Sequence, residues 1–279
     1  MHHQLTSVEE LAAVLEDGRA PRILDVRWRL GATDGESRFL EGHIPGAVYV
    51  DLDRELAGHG AATDGRHPLP AVRDLESAAR SWGLGDGDAV VVYDDNAGQS
   101  AARAWWLLRY AGVADVRVLD GGLAAWRAAG HALEEGAATP RSGSVNLTYG
   151  HLPVLDMDEA AALPATGVLL DARAPERFRG EVEPVDPVAG HIPGALNAPS
   201  SANLAADGRF LPAAELRRRY EELGVSADAA VGVYCGSGVT AAHDALALAV
   251  AGFEAALYPG SWSQWSNHPD RPVETSPEH

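Results

Sequence analysis

Cys235 is the only cysteine in this chain of 279 residues, and its neighbours are those of a reactive thiol. It follows the apolar run V-G-V-Y at 231–234 and opens the loop C-G-S-G-V-T at 235–240. A short continuous apolar run has the pattern of a buried strand. The Ala/Leu-rich stretch from Thr240 to Ala251 has helix character. The thiol therefore sits between the C-terminal end of a strand and the start of a helix. In a glycine-rich turn, successive backbone N–H groups point at one centre, and the helix start adds partial positive charge. Such donors favour the thiolate, the nucleophilic form. Gly236 and Gly238 matter because a Cβ would bar φ > 0 or hold the backbone away. The competing reading is an inert core cysteine, a small buried hydrophobe. Burial alone, however, does not call for two glycines beside the sulfur. The predicted chemistry is covalent catalysis on Cys235, with the N–H groups from Gly236 through Gly238 and Val239 to Thr240 around the bound product.

The elements that hold this loop occur twice. I-L-D-V-R at 23–27 is followed by R-F-L-E-G-H-I-P-G-A at 38–47. L-L-D-A-R at 169–173 is followed by R-F-R-G at 177–180 and G-H-I-P-G-A at 190–195. V-V-V-Y at 90–93 answers V-G-V-Y at 231–234, and Trp126 answers Trp265. Helices are expected at 7–16, 75–82, 101–110, 157–162, 214–223 and 240–251. Ser7 and Glu10 form a capping box at the start of the first. Strands are expected at 23–26, 89–93, 116–119, 168–171, 231–234 and 254–258. Alternating strands and helices, with continuous apolar strands, predict an α/β protein. It has two tandem domains, each a mostly parallel sheet flanked by helices on both faces. The domains are placed at 1–140 and 156–279. The linker, 141–155, lies in the stretch 138–153, which is rich in Gly, Ser, Thr and Pro.

Bulk properties narrow the partners. The chain is 46% hydrophobic and 22% charged, as a globular protein with a core should be. Its net charge of −18 argues against nucleic acid and anionic membranes. An anionic substrate would have to be gathered by local arginines. One cysteine forms no intramolecular disulfide, which suits a reducing compartment. The segment M-H-H-Q-L-T-S-V-E-E-L lacks the regions of a signal peptide. No apolar run approaches the roughly 18 residues of a membrane span. A cytoplasmic protein is expected. His2 and His3 alone make no metal site. No clustered Cys/His set is present, so no metal or organic cofactor is expected.

Two copies with D-x-R and G-H-I-P-G-A, and a cysteine loop only in the second, resemble the rhodanese superfamily of sulfurtransferases. The resemblance covers nearly the whole chain. The loop C-G-S-G-V-T is similar to that of 3-mercaptopyruvate sulfurtransferases, whereas thiosulfate enzymes more often carry C-R-K-G-V-T. The resemblance implies sulfur transfer from 3-mercaptopyruvate through a Cys235 persulfide to cyanide, a small thiol or thioredoxin. It also implies a catalytically silent first domain, because Tyr93-Asp94 stands where the second has Tyr234-Cys235. A carboxylate cannot carry transferable sulfur.

Several site residues follow from the same resemblance. Arg177 matches a substrate arginine of the second domain and Arg103 one of the first. Trp28 matches an aromatic facing the cleft. Ser237, His67 and Asp53 match a proposed relay that would polarise the substrate carbonyl or move a proton. Asp186 occupies about the place of a second arginine that the family often has after its E-P motif, which shifts weight to Arg103. Arg177 and Arg179 share a face if their stretch is extended and diverge if it is helical. His43 and His191, present in both copies, are expected to hold turns. Asp25, Arg27, Asp171 and Arg173 are expected to form structural pairs, and His243 to lie at the surface.

Three alternatives stay open. Thiosulfate is the nearest, although the uncharged Gly236 and Ser237 suit a sulfite leaving group poorly. A phosphatase has a similar cysteine loop, but that loop is one residue longer and ends in Arg, where this chain has Thr240. A persulfide carrier or sensor would hold sulfur without multiple turnover.

Overall fold

A computed structural model describes residues 4–18 and 20–275. His2 and His3 lie outside the described residues. The apolar runs become short parallel strands. In the first half these are β1 (Leu5–Thr6), β2 (Arg22–Asp25), β3 (Ala47–Tyr49), β4 (Val90–Tyr93) and β5 (Val116–Leu119). They pair in the order β1-β5-β4-β2-β3, every neighbouring pair parallel. In the second half, β6 (Val168–Asp171), β7 (Leu196–Asn197), β8 (Val231–Tyr234) and β9 (Ala256–Leu257) pair in the order β7-β6-β8-β9, again all parallel. β4 and β8 are buried at every position, as continuous apolar strands in the middle of a sheet must be. Each sheet is flanked by helices.

The chain divides into two compact units. The first comprises the chain up to Gly58, Pro70–His151 and Asp207–Arg209. The second comprises His59–Leu69, Leu152–Ala206 and the chain from Phe210 onward. The excursion 59–69 is fixed within the second unit. Arg66 N donates to Ser263 Oγ at 2.9 Å, and His268 Nε2 lies 3.1 Å from the Thr63 carbonyl. Gly65 has φ +89°, and a Cβ there would lie 2.9 Å from the Gly260 carbonyl. The stretch 138–153 has no helix or strand, yet it is not a slack tether. Val145 and Leu147 are buried, and Gly143 N donates to the Arg80 carbonyl.

The repeated phrases serve the same purpose in each unit. Arg27 pairs with Asp25 and donates to the carbonyls of Arg38 and Gly42. Arg173 pairs with Asp171 at 2.6 Å, donates to the Gly190 carbonyl and lies over the Trp262 ring. A guanidinium thus ties the end of the strand to the turn beginning G-H-I-P-G-A. His43 Nδ1 lies 2.9 Å from the Phe39 carbonyl, and its ring stacks on Phe39. His191 does the same with Phe178. A carbonyl can only accept, so each Nδ1 carries the proton. Ile44 N and Ile192 N donate to the hydroxyls of Tyr93 and Tyr234. The histidines and the Asp–Arg pairs therefore hold turns, as expected.

The capping box at Ser7 and Glu10 starts the helix Val8–Glu16. The helix expected at 75–82 begins earlier, as Val72–Ser81, and the strand expected at 254–258 shortens to β9. β1, β3, β7 and the helix Gly35–Glu41 are additions. Among the described residues no helix is long and apolar enough to cross a membrane.

Replacing Asp171 with Ala would leave a guanidinium that is 2% exposed with only Glu183, at 3.5 Å, and the Gly190 carbonyl as partners. Loss of one partner of a buried ion pair costs about 3–5 kcal/mol. Denaturant unfolding of Asp171→Ala should show a loss of that size; a change below about 1 kcal/mol, the range of a surface pair, would remove the pair from the framework.

Candidate active site

Cys235 follows β8 directly and precedes the helix Thr240–Ala251. Its peptide is pinned on both sides. Cys235 N donates to Ser261 Oγ at 3.1 Å, and Ser261 Oγ donates to the Tyr258 carbonyl. The Cys235 carbonyl accepts from Trp262 N, and the Gly236 carbonyl from Ser263 N. Ser261 sits at φ +52°, a left-handed conformation that a non-glycine residue rarely adopts. Gly238 turns the loop back with φ +80°; a Cβ there would lie 2.4 Å from the Pro259 carbonyl. Its N–H donates to Cys235 Sγ at 3.1 Å. Cys235 is 2% exposed, and its sulfur faces this backbone donor just before the helix.

Beside it, Ser237 Oγ lies 2.7 Å from His67 Nδ1. Ser237 is 7% exposed and His67 6%. The structure thus brings Cys235, Ser237, Gly236, Gly238, Val239, Thr240 and His67 together within one unit, although His67 belongs to the first half of the sequence.

Two guanidiniums crowd Gly236. A Cβ on that residue would lie 3.3 Å from Arg66 Nη2 and 3.5 Å from Arg177 Nη1. Arg177 stands on the short helix Pro175–Phe178, so Arg179 diverges from it and pairs with the exposed Glu181. Arg177 Nη2 meets Glu183 Oε1 at 2.7 Å and Asp186 Oδ2 at 3.2 Å. Arg66 Nη1 takes the other oxygen, Asp186 Oδ1. Both carboxylates are buried, at 2% for Asp186 and 4% for Glu183, while the arginines keep 26% (Arg66) and 21% (Arg177) of their side chains exposed. Burial acts to raise the Glu183 carboxyl. Arg177 and the N–H groups of Asp186 and Val185 outweigh it and hold the group below the usual carboxylate range.

Sequence reasoning missed Arg66, Ser261 and Ser263. The one available signal for Arg66 is its place next to His67 in G-R-H. Asp186 is not an empty second anchor, because it ties Arg66 beside Arg177. His243 is a correction: it is fully buried and stacked on Phe210, because its helix is covered nearly all round.

The remaining candidates lie in the first unit. Trp28 Nε1 donates to Asp53 Oδ2 at 2.8 Å. Arg103 has no exposed surface and donates to the Leu56 carbonyl, at the end of the helix Leu52–Glu55 that carries Asp53. In the loop answering 235–240, Asp94 accepts N–H bonds from Asn96, Gly98, Ser100 and Ala101, at 2.8–2.9 Å. Its carboxylate occupies the centre that backbone donors would otherwise offer to a ligand. Among the described residues no group of three His, Cys, Asp or Glu is placed to hold a metal ion.

A rhodanese-like domain model matches residues 7–129 and again 156–268. The chain belongs to the rhodanese family. One rhodanese relative, the putative thiosulfate sulfurtransferase SseB of Mycobacterium tuberculosis, is 50% identical over 96% of either chain. The probable 3-mercaptopyruvate sulfurtransferase of Pseudomonas aeruginosa is 47% identical over 98% of each. The crystal structure of SseA from Escherichia coli, described as a 3-mercaptopyruvate sulfotransferase, superposes with a TM-score of 0.82 at 35% identity. The match covers 93% of this chain and 98% of that one. The two matched segments contain every strand of the two sheets except β1.

The Glu183 clamp sets a pH window. A carboxyl held low in the fold contributes stability that is complete above its ordinary value of 4.5 and is lost as pH falls through the folded value. The difference in Tm between the native protein and Glu183→Gln should stay constant down to about pH 5 and shrink below it. A difference that grows on acidification would contradict the clamp. In a second check, Gly238→Ala must either move the Pro259 carbonyl or leave φ +80°, so sulfur loading should be lost while the far-UV spectrum is kept. Full loading in the variant would show the turn to be dispensable.

Proposed function

We propose that this protein is a sulfurtransferase that takes sulfur from 3-mercaptopyruvate onto Cys235 and passes it to a thiol or cyanide. The observation that carries the reading is a lone thiol facing the Gly238 N–H, next to a serine in hydrogen-bond contact with a histidine. The Cys235 thiolate attacks the substrate sulfur and the C–S bond breaks. The bonding pair leaves with carbon as the enolate of pyruvate, and the substrate's thiol proton stays on the new persulfide. Ser237, polarised by His67, donates toward the substrate carbonyl where negative charge develops, and a proton then returns to the enolate carbon. The acceptor attacks the outer sulfur and restores the Cys235 thiolate, a two-step exchange.

Arg177, whose Nη1 lies on the side of Gly236 while Glu183 and Asp186 hold its Nη2, suits the substrate carboxylate. Asp53, Arg103 and Trp28 remain candidates on sequence grounds. Arg103, being buried, is assigned to bracing the helix that carries Asp53. The domain at 1–140 is read as silent because Asp94 fills its own loop, with 141–155 as linker and 156–279 as the catalytic part. Thioredoxin as the protein acceptor, and a cytoplasmic setting, fit a thiol that must stay reduced. Thiosulfate is kept as the second donor because the M. tuberculosis relative is named for it.

Intact mass after mixing with 3-mercaptopyruvate should rise by one sulfur atom, fall back on adding cyanide, and stay unchanged in Cys235→Ser. Ser237→Ala should lower kcat for 3-mercaptopyruvate by about 10²–10³-fold, the range for a lost donor to developing negative charge. No mass gain on the native protein from either donor would end the transfer reading. A stable persulfide without turnover would point to a carrier.

A further inference from the structure

The two arginines beside the sulfur are not a bare cationic pocket. Arg66 and Arg177 are joined by one carboxylate, Asp186, which gives an oxygen to each. Glu183 takes the Nε–Nη2 edge of Arg177, sharing Nη2 with Asp186. Two guanidiniums and two buried carboxylates leave the group with no net charge. Its N–H bonds are nonetheless aimed. On Arg66, Asp186 uses Nη1, while Nη2 lies toward Gly236 and Nε is buried with no hydrogen-bond partner. Nε and Nη2 form one edge of the fork, the edge that takes a carboxylate through two parallel bonds. A cleft of about 380 Å³, lined among others by Arg66, Asp186, Ser263 and Asn267, opens beside it.

We propose that Asp186 is a positioning residue that sets donor preference by charge. It holds Arg66 and Arg177 in register for a planar monoanionic carboxylate and cancels the charge that would attract a dianion. The inference rests on the sulfur-transfer reading above. A 3-mercaptopyruvate carboxylate brings one negative charge and the geometry of the free edge. Thiosulfate brings two charges into a group of net zero, on a chain of net charge −18. Arg66 thereby supplies the second anchor that Asp186 appeared to remove, and the same aspartate limits what the pair accepts.

The test is the ratio of kcat/KM for 3-mercaptopyruvate to kcat/KM for thiosulfate. Asp186→Asn keeps the side-chain volume and one acceptor but leaves the group one charge positive. It should raise kcat/KM for thiosulfate and lower the ratio about tenfold, the order expected for one charge near a partly exposed site. The gain for thiosulfate should fade with added salt. Arg66→Gln leaves the group one charge negative. It should raise KM for both donors with a smaller effect on kcat, and move the ratio the opposite way. A purely structural role would lower both donors alike. A folded Asp186→Asn that loads sulfur with the ratio within about twofold of native, or that loses both donors equally, overturns the proposal. If Asp186→Asn does not fold, Arg66→Gln decides, and an unmoved ratio there overturns it as well. Absence of persulfide on the native protein from either donor would sink the transfer reading and this inference together. An intact persulfide with an unmoved ratio sinks this inference alone.

Discussion

The structure turns on the pinning of a single residue. The N–H of Cys235 is held by Ser261 and its carbonyl by the N–H of Trp262, so the residue after β8 cannot rotate. With that residue fixed, Gly238 brings its own N–H back onto the sulfur. The loop's conformation is thus decided by the segment after β9 as much as by its own glycines. Ser261 bears the strain, holding a left-handed backbone in a fully buried place.

Charge follows from the same geometry. The chain as a whole repels anions, and the two guanidiniums at Gly236 are each held by a buried carboxylate. Burial of Asp186 and Glu183 lets them act as fixed mounts, while the arginine ends stay partly open to solvent. A flexible surface arginine would lose side-chain entropy on binding an anion; here that ordering has already been done by the fold. Gly236 belongs to this arrangement, since the volume its side chain would take is bounded by Arg66 and Arg177.

Much of the scaffold could be read from the chain. The strands 116–119, 168–171 and 231–234 were readable residue for residue, because each is a short, mainly aliphatic run bounded by polar or turn residues. β1, β3 and β7 are two or three residues long, too short for any periodicity to register. Cys235 was legible because its glycines have no use in a plain core. Arg66 was not, because its meaning lies in Asp186, 120 residues away in sequence. His243 was misread for a local reason: a helix of alanines and leucines with neighbours on nearly every side offers no outer face, and the run A-L-A-L-A-V already carried that warning.

The excursion 59–69 also limits how the molecule can be taken apart. A duplicated fold invites the picture of two beads on a string, each able to be cloned, swapped or lost without the other. Here the thread doubles back: eleven residues encoded before the seam are structural members of the bead that follows it. A cut at the sequence boundary would give a C-terminal fragment with its cysteine, but without the arginine and histidine that flank it. Inheritance of the first copy is therefore enforced by wiring, because deleting it would take part of the second unit with it.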